Sequence, residues 1–300
     1  MSDQTILFIH ALTGLHPGGG TALGVIDQPI RRERHTGWPI IPGSSLKGVL
    51  RSAFNRNTGL DPDVSPEVLA IFGPRVGSDD DHAGALTLSD ARILAFPVRS
   101  LSGVFAWVTC PAVLERLSRD LAIIQGEPVP EIPKPVRNNA YCVPESPLVS
   151  DGKMILEEFE FTVENTDCKL AEWIASQVTS DTSTQKRLGS HLVVLNNDDF
   201  TYFVKTTTEI VARIGLDYSL KTARKSALFY EEHLPPETLF YSLVICQNSY
   251  RADHQVSGRD LLEKLQSMLL PYVQIGGGET VGKGICAIRF INHPKVSTAS

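Results

Sequence analysis

The 300-residue chain has only five cysteines, three methionines and three tryptophans. Cys110, Cys142, Cys168, Cys246 and Cys286 are odd in number and form no CxxC pair. That excludes a disulfide framework and a zinc ribbon, and points to a reducing cytoplasm. No apolar run approaches the roughly 18 residues of a membrane span, and no basic segment precedes a signal-like core, so no membrane partner is expected. Excess positive charge is missing too. With 28 Lys and Arg against 34 Asp and Glu, the net charge is −6, so an anionic partner must meet a local basic patch. The catalytic signatures HExxH, GxSxG and GxxxxGK[ST] are absent, as is the spacing of a dinucleotide-binding fingerprint. Disorder is excluded as well, since 42% of the residues are hydrophobic and 21% charged.

What is present is concentrated in two glycine-rich loops. Gly14–Gly24 holds three consecutive glycines, and Gly276-Gly-Gly-Glu-Thr-Val-Gly-Lys-Gly284 closes the chain before a final strand. Glycine exposes backbone N–H donors and lysine adds a point charge, a combination suited to polyanions. Between Asp27 and Arg56 six cations face two anions, whereas from Asn57 to Cys110 seven anions face three cations. One basic stretch therefore sits in a mildly acidic chain. Asp27 lies among Arg31, Arg32 and Arg34, where an ionised carboxylate can hold a hydrated cation or orient a hydroxyl, or simply form a salt bridge. His16 and His35 flank it and are placed to move protons or to bond backbone. His10, inside an apolar strand, reads as a core histidine.

The periodicity predicts a strand over 5–13, an extended loop over 25–42, and a helix from Gly43 with Leu46, Val49, Leu50, Ala53 and Phe54 on one face. Ser44 or Ser45 is expected to cap that helix, leaving Lys47 and Arg51 off the apolar face and available to solvent or a ligand. Further strands are expected over 104–109, 155–163, 192–195, 239–246 and 285–291. Helices are expected from Pro111, over 170–178, and after the capping sequence Ser257-Gly-Arg-Asp260. Residues 127–147, with six prolines, read as an extended connector. Residues 210–237, with Lys221, Arg224 and Lys225 at their centre, read as an exposed hairpin whose apolar residues wedge between bases. The fold class is α+β: one sheet backed by helices and carrying large insertions.

Five stretches carry more than spacing: His16–Gly37, Ile41–Arg51, Phe96–Pro111, Tyr230–Phe240 and Ile275–Gly284. Through them the sequence resembles the RAMP superfamily of CRISPR proteins, and specifically the repeated backbone subunit of the type III-B (Cmr) effector complex. The resemblance implies a modified ferredoxin-like (RRM-type) core over residues 1–300, with insertions at approximately 57–100 and 196–238, the second forming a β-hairpin thumb. It implies cytoplasmic copies stacked in a helical filament on a guide RNA (crRNA) with other Cmr subunits, splaying and cleaving complementary target RNA with a divalent cation, Mg2+ or Mn2+. Asp27 matches the family's catalytic, cation-holding aspartate, and His16 a histidine near it. Glu231 or Glu232 assists from the insertion, which of the two being open. Ser44, Ser45, Lys47, Arg51, Lys221, Arg224, Lys225, Gly277, Gly278 and Lys283 are the expected RNA contacts. The competing expectation is a scaffold that coats guide RNA without cutting.

Overall fold

The computed structural model describes residues 3–20, 25–61, 64–75, 77, 82–216 and 223–291. In chain order its elements begin with β1 (Asp3–Ala11), β2 (Ile40–Ile41), α1 (Gly43–Thr58), α2 (Pro66–Phe72), β3 (Leu86–Leu88), β4 (Ala91–Arg99), β5 (Phe105–Thr109) and α3 (Pro111–Ile123). There follow β6 (Asn139–Cys142), β7 (Lys153–Leu156), β8 (Phe159–Asn165), α4 (Lys169–Val178), α5 (Thr182–His191), β9 (Leu192–Leu195) and α6 (Asn197–Thr206). The chain continues through β10 (Glu209–Leu216), β11 (Ala223–His233), β12 (Leu239–Cys246), α7 (Gly258–Met268), β13 (Tyr272–Gln274) and β14 (Ile285–Phe290).

Twelve strands form one sheet in the order β13-β14-β1-β12-β4-β5-β9-β6-β8-β7, with β2 and β3 added alongside β4 and β12. Pairing is antiparallel except for β5 with β9 and β6 with β8. The remaining two strands, β10 and β11, make a separate antiparallel ribbon.

β1 lies inside the sheet, third from the β13 edge, and its side chains are apolar on both sides of the pleat. Successive residues point to opposite faces, and every residue from Thr5 to Ala11 is buried, so both faces are covered. Helices α4 and α7 pack against β1, and α1 packs beside them against α7, β3 and β13. From α1 come Leu46, Leu50, Ala53 and Phe54, the face the heptad-like spacing predicted. His10 is a core histidine, its Nε2 2.8 Å from Glu237 Oε2.

Several expectations are corrected. Neither Ser44 nor Ser45 caps α1. Its N-cap is Pro42, and the free Gly43 N–H instead donates to Asp90 Oδ1 at 2.8 Å, a carboxylate from 47 residues downstream. The strand expected over 155–163 is a hairpin, β7 and β8, turning at Glu157 with φ of 50°. Two glutamates give no local turn signal, so period alone merged the strands. The 127–147 connector contains β6, short enough to lie between prolines. Helices α5 and α6 were not anticipated, although Asp181 and Asn196 cap them through their side chains.

Candidate functional site

The ribbon is rooted in the first glycine loop. Leu15 and Leu234 exchange both backbone hydrogen bonds, at 2.9 and 2.8 Å. Gln28 bridges β11 in parallel, its N–H donating to Tyr230 O and its carbonyl accepting from Glu232 N, both at 3.0 Å. The loop doubles back on itself, Gly19 N donating to Pro29 O at 2.9 Å and Arg31 N to Pro17 O at 2.7 Å. This folding brings Asp27 to the ribbon. Its Oδ2 accepts from Tyr230 N at 2.8 Å, the side chain is exposed, and Oδ1 has no partner among the described residues. The arginines expected around Asp27 do not pair with it: Arg31 and Arg34 are exposed and Arg32 is turned inward.

Strand alternation separates the two candidate glutamates. Glu232 points inward and is 4% exposed. Its Oε1 accepts from Arg32 Nη2 at 2.5 Å and Thr208 Oγ1 at 2.8 Å, and its Oε2 from Ile30 N at 3.0 Å. Arg32 also donates through Nη1 to the carbonyls of Gly37 and Val204 at 2.9 Å. Glu232 is thus a fully bonded tie between loop, α6 and ribbon. Glu231 and His233 share the opposite face, where Glu231 Oε2 accepts from Arg213 Nε at 2.7 Å and lies 3.2 Å from His233 Nε2. Burial pushes the Glu231 carboxyl up, but these hydrogen bonds and the Arg213 charge outweigh it and hold it below the usual carboxylate range. Burial lowers His233 below the imidazole range, the charges of His16 and Lys283 adding to it against the pull of Glu231.

His16 packs against His233 with ring centroids 5.4 Å apart, and its Nδ1 lies 2.7 Å from Glu232 O. The second glycine loop closes over it, Gly277 N donating to His16 O at 3.0 Å. Gly276, at φ 79°, tolerates no side chain: a Cβ there would stand 2.3 Å from His16 O. Gly276→Ala is therefore expected to lower stability by about 1–3 kcal/mol and to displace this loop, read as a lowered thermal midpoint with the wild type as reference. Lys283, half-buried, brings its ammonium to within 3.0 Å of where a Gly14 Cβ would stand. Gly278 belongs to the same loop.

Asp27, His16, Glu231, Gly277, Gly278 and Lys283 are thus brought to one end of the sheet. Ser44, Ser45, Lys47 and Arg51 are not. Lys47 Nζ donates to Leu86 O, which lies beside Cys246 at the far end of β12, on the order of 20 Å along the strand. Ser44 and Ser45 are exposed there. Lys47 and Arg51, expected to be available to a ligand, are turned back on their own chain, Arg51 Nη1 donating to Gly73 O at 2.9 Å. Burial, with Arg51 adding, lowers the Lys47 ammonium from its usual range. Lys221 lies outside the described residues, as do the side chains of Arg224 and Lys225. His233 and Arg213 belong to the site and escaped the sequence reading, while Arg32, expected beside Asp27, serves Glu232 instead. The Glu231/His233 alternation within a strand was the available signal.

Among the described residues no three His, Cys, Asp or Glu side chains are placed to share a metal ion. A Mg2+-type ion needs no such cage, since one carboxylate, substrate phosphates and water complete its shell. The exposed Oδ1 of Asp27 fits that kind of site. No helix among the described residues is long and apolar enough to cross a membrane.

The RAMP superfamily pattern matches residues 8–287. The CRISPR system Cmr endoribonuclease Cmr4 of Pyrococcus furiosus is 38% identical over 287 residues, 93% of each chain. The crystal structure of oligomeric Cmr4 from Pyrococcus furiosus superposes with a TM-score of 0.75 at 32% identity, covering 96% of this chain and 98% of that one. A chain of the type III-B Cmr-beta complex bound to cognate target RNA shares the fold, with a TM-score of 0.74 at 22% identity over 96% of each chain. With the family pattern spanning the sheet, both glycine loops and the root of the ribbon, the chain belongs to the RAMP superfamily and, within it, to the Cmr4 family.

Proposed function

We propose that this chain is the repeated, RNA-cleaving backbone subunit of a type III-B CRISPR effector complex. It binds guide RNA, stacks with further copies and other Cmr subunits, and cuts complementary target RNA. The observation that carries this reading is the exposed Asp27 carboxyl fastened to the root of an apolar ribbon by the Tyr230 N–H. The kinship with a named Cmr endoribonuclease supports it.

The core is of ferredoxin-like type, one domain with insertions at about 57–100 and 196–238, and β10–β11 is the thumb. Register puts Ile210, Ala212, Ile214, Leu228 and Tyr230 on one face, and four of them are large and exposed. Exposed apolar side chains on a two-stranded ribbon are suited to wedging between bases. Cleavage by a 2′-hydroxyl needs the attacking oxygen, phosphorus and leaving oxygen in line, which a stacked duplex disfavours. A wedge supplies that alignment, and the ribbon's root delivers the kinked backbone to Asp27. Asp27 Oδ1 would hold the cation, Mg2+ or Mn2+, whose charge neutralises the phosphate when it is bound. Lys283 and the exposed N–H groups of the Gly276–Gly284 loop meet phosphates without regard to sequence. Ser44 and Ser45 serve the guide at the far end, and Lys221, Arg224 and Lys225 add phosphate contacts by their charge. Affinity then falls with salt.

Replacing Ile214 and Leu228 together by Asp is expected to slow target cleavage by about tenfold to a hundredfold, the loss of roughly one stacking contact, while assembly is kept. Cleavage-product gels from single-turnover reactions measure it. The reading as a whole is tested by incubating the assembled complex with guide-matched target RNA and Mg2+. Products at regular intervals are expected, and intact target would leave only the coating role.

A further inference from the structure

We infer that the outer edge of β13 is a docking site for an extended apolar segment, acidic at both ends, of another protein chain, which joins the sheet as a further strand. The inference stands apart from the ribonuclease reading. β13 and β7 are the two ends of the sheet. At the β7 end the chain closes its own edge, Leu101 N donating to Ile155 O at 3.1 Å and Glu157 N to Arg99 O at 2.9 Å. Nothing among the described residues does this for β13.

Ile275 N donates to Gly284 O and Ile288 N to Pro271 O, both at 2.8 Å, which fixes the ladder with β14. Hydrogen-bonded positions alternate in an antiparallel pair, so Val273 bonds Cys286 while Tyr272 and Gln274 turn their N–H and C=O groups away from β14. Those groups have no hydrogen-bond partner among the described residues. They are spaced as an incoming strand requires.

The side chains on this edge are apolar, where a strand left to water usually carries charge. Leu270 and Tyr272 are each 59% exposed, and Ile285, paired with Gln274, is exposed too. Two clefts meet at Leu270. One, of 260 Å³, lies at the start of the strand among Leu269, Pro271 and Phe290. The other, of 340 Å³, follows Tyr272 and Gln274 and is walled by Ala53 and Asn57 of α1 and by Ile285. A strand pairs residue for residue, so about six residues match the stretch from Leu269 to Gln274 and reach both clefts.

Each cleft has an arginine in its wall, Arg289 in the first and Arg56 in the second. Arg56 faces Glu279 across 3.8 Å, an exposed pair of little strength. Arg289 donates to the carbonyls of Ser176 and Thr179, which carry no net charge to offset its own. A carboxylate at each end of the incoming segment answers these two cations. An RNA strand, by contrast, brings a phosphate at every nucleotide to an edge that is apolar between its two arginines.

The test uses the 300-residue chain and a fluorescein-labelled peptide, Glu-Val-Tyr-Val-Ile-Glu, read by anisotropy. Saturable binding is expected. N-methylating alternate peptide amides is expected to abolish it for one alternate set and to leave it within about twofold for the other, because an added strand bonds β13 along one edge only. Gln274→Pro removes an N–H that the ladder with β14 does not use. It is expected to weaken the peptide by about tenfold or more while the thermal midpoint stays close to that of the wild type. Arg56→Glu, on an exposed helix surface, is expected to weaken it by about threefold to tenfold and to favour a lysine-ended peptide by a similar factor. No saturable binding, or equal loss with both methylated sets, overturns the proposal. Displacement of the peptide by hexauridylate would assign the edge to RNA. Self-association that Gln274→Pro abolishes would assign it to a second copy. A rise of about tenfold in peptide affinity on removing residues 292–300 would assign it to the chain's own end, and each of these three results also overturns the proposal.

Discussion

Asp27→Asn is expected to lower the rate of target cleavage by about 10²–10³, some 3–4 kcal/mol of barrier, with guide binding and assembly unchanged. The substitution isolates charge from shape. Asparagine keeps a side-chain oxygen where Oδ2 accepts the Tyr230 N–H, so the link to the ribbon persists. What is lost is the negative charge at Oδ1, the oxygen that in the proposed mechanism would meet the cation. Glu231, on β11 opposite Gln28, is not equivalent to it, because Arg213 and His233 already engage its Oε2. Single-turnover cleavage of a labelled target, alongside electrophoretic binding of the same RNA, separates the two quantities. A variant that binds and cuts like the wild type would remove Asp27 from the mechanism.

Glu232→Ala is the second large effect, and it acts on stability. The Glu232 carboxylate is buried and accepts from Arg32, Thr208 and the Ile30 N–H. Truncation leaves three donors unmatched, one of them a guanidinium only 22% exposed at its side chain. Breaking one half of a buried ion pair costs about 3–5 kcal/mol, most of it from the stranded charge. Denaturant unfolding of the isolated chain is expected to show a loss of this size. Removing both partners, as in Arg32→Leu with Glu232→Leu, is expected to cost markedly less, since no charge is then stranded. Equal losses for the single and double variants would show that the carboxylate acts through packing alone. Cleavage is expected to fall in the same variant if Asp27 acts as proposed, because the strand that carries Glu232 also holds Asp27 through Tyr230 N.

Local pattern made much of the fold legible. β1, α1, α3, α7, β12 and β14 follow from apolar period and capping residues, and the Ser257 cap is present, its Oγ 3.2 Å from Asp260 N. What escaped were elements whose signals are weak or distant. The Glu157 turn has no glycine or asparagine to announce it. The start of α1 is satisfied by Asp90, a partner no local window contains. The site shows the same division. The glycine loops stand out by composition, Asp27 and His16 gain their roles only through the family resemblance, and which of Glu231 and Glu232 is buried follows from the face of β11 each occupies. The basic stretch from Arg31 to Arg51 misled for a physical reason. Arginine and lysine are long enough to satisfy carbonyls of their own chain, and Arg32, Lys47 and Arg51 do so.

The hydrogen bond from Tyr230 N to Asp27, with the Gln28 ladder beside it, has a consequence for where a long transcript is cut. If the ribbon pries the strand open as proposed, the offset between that point and the point of cutting is set by hydrogen-bonded geometry within a single protomer. Repeated along a row of identical protomers, that offset becomes a ruler, and fragment length reports protomer spacing whatever letters the transcript carries.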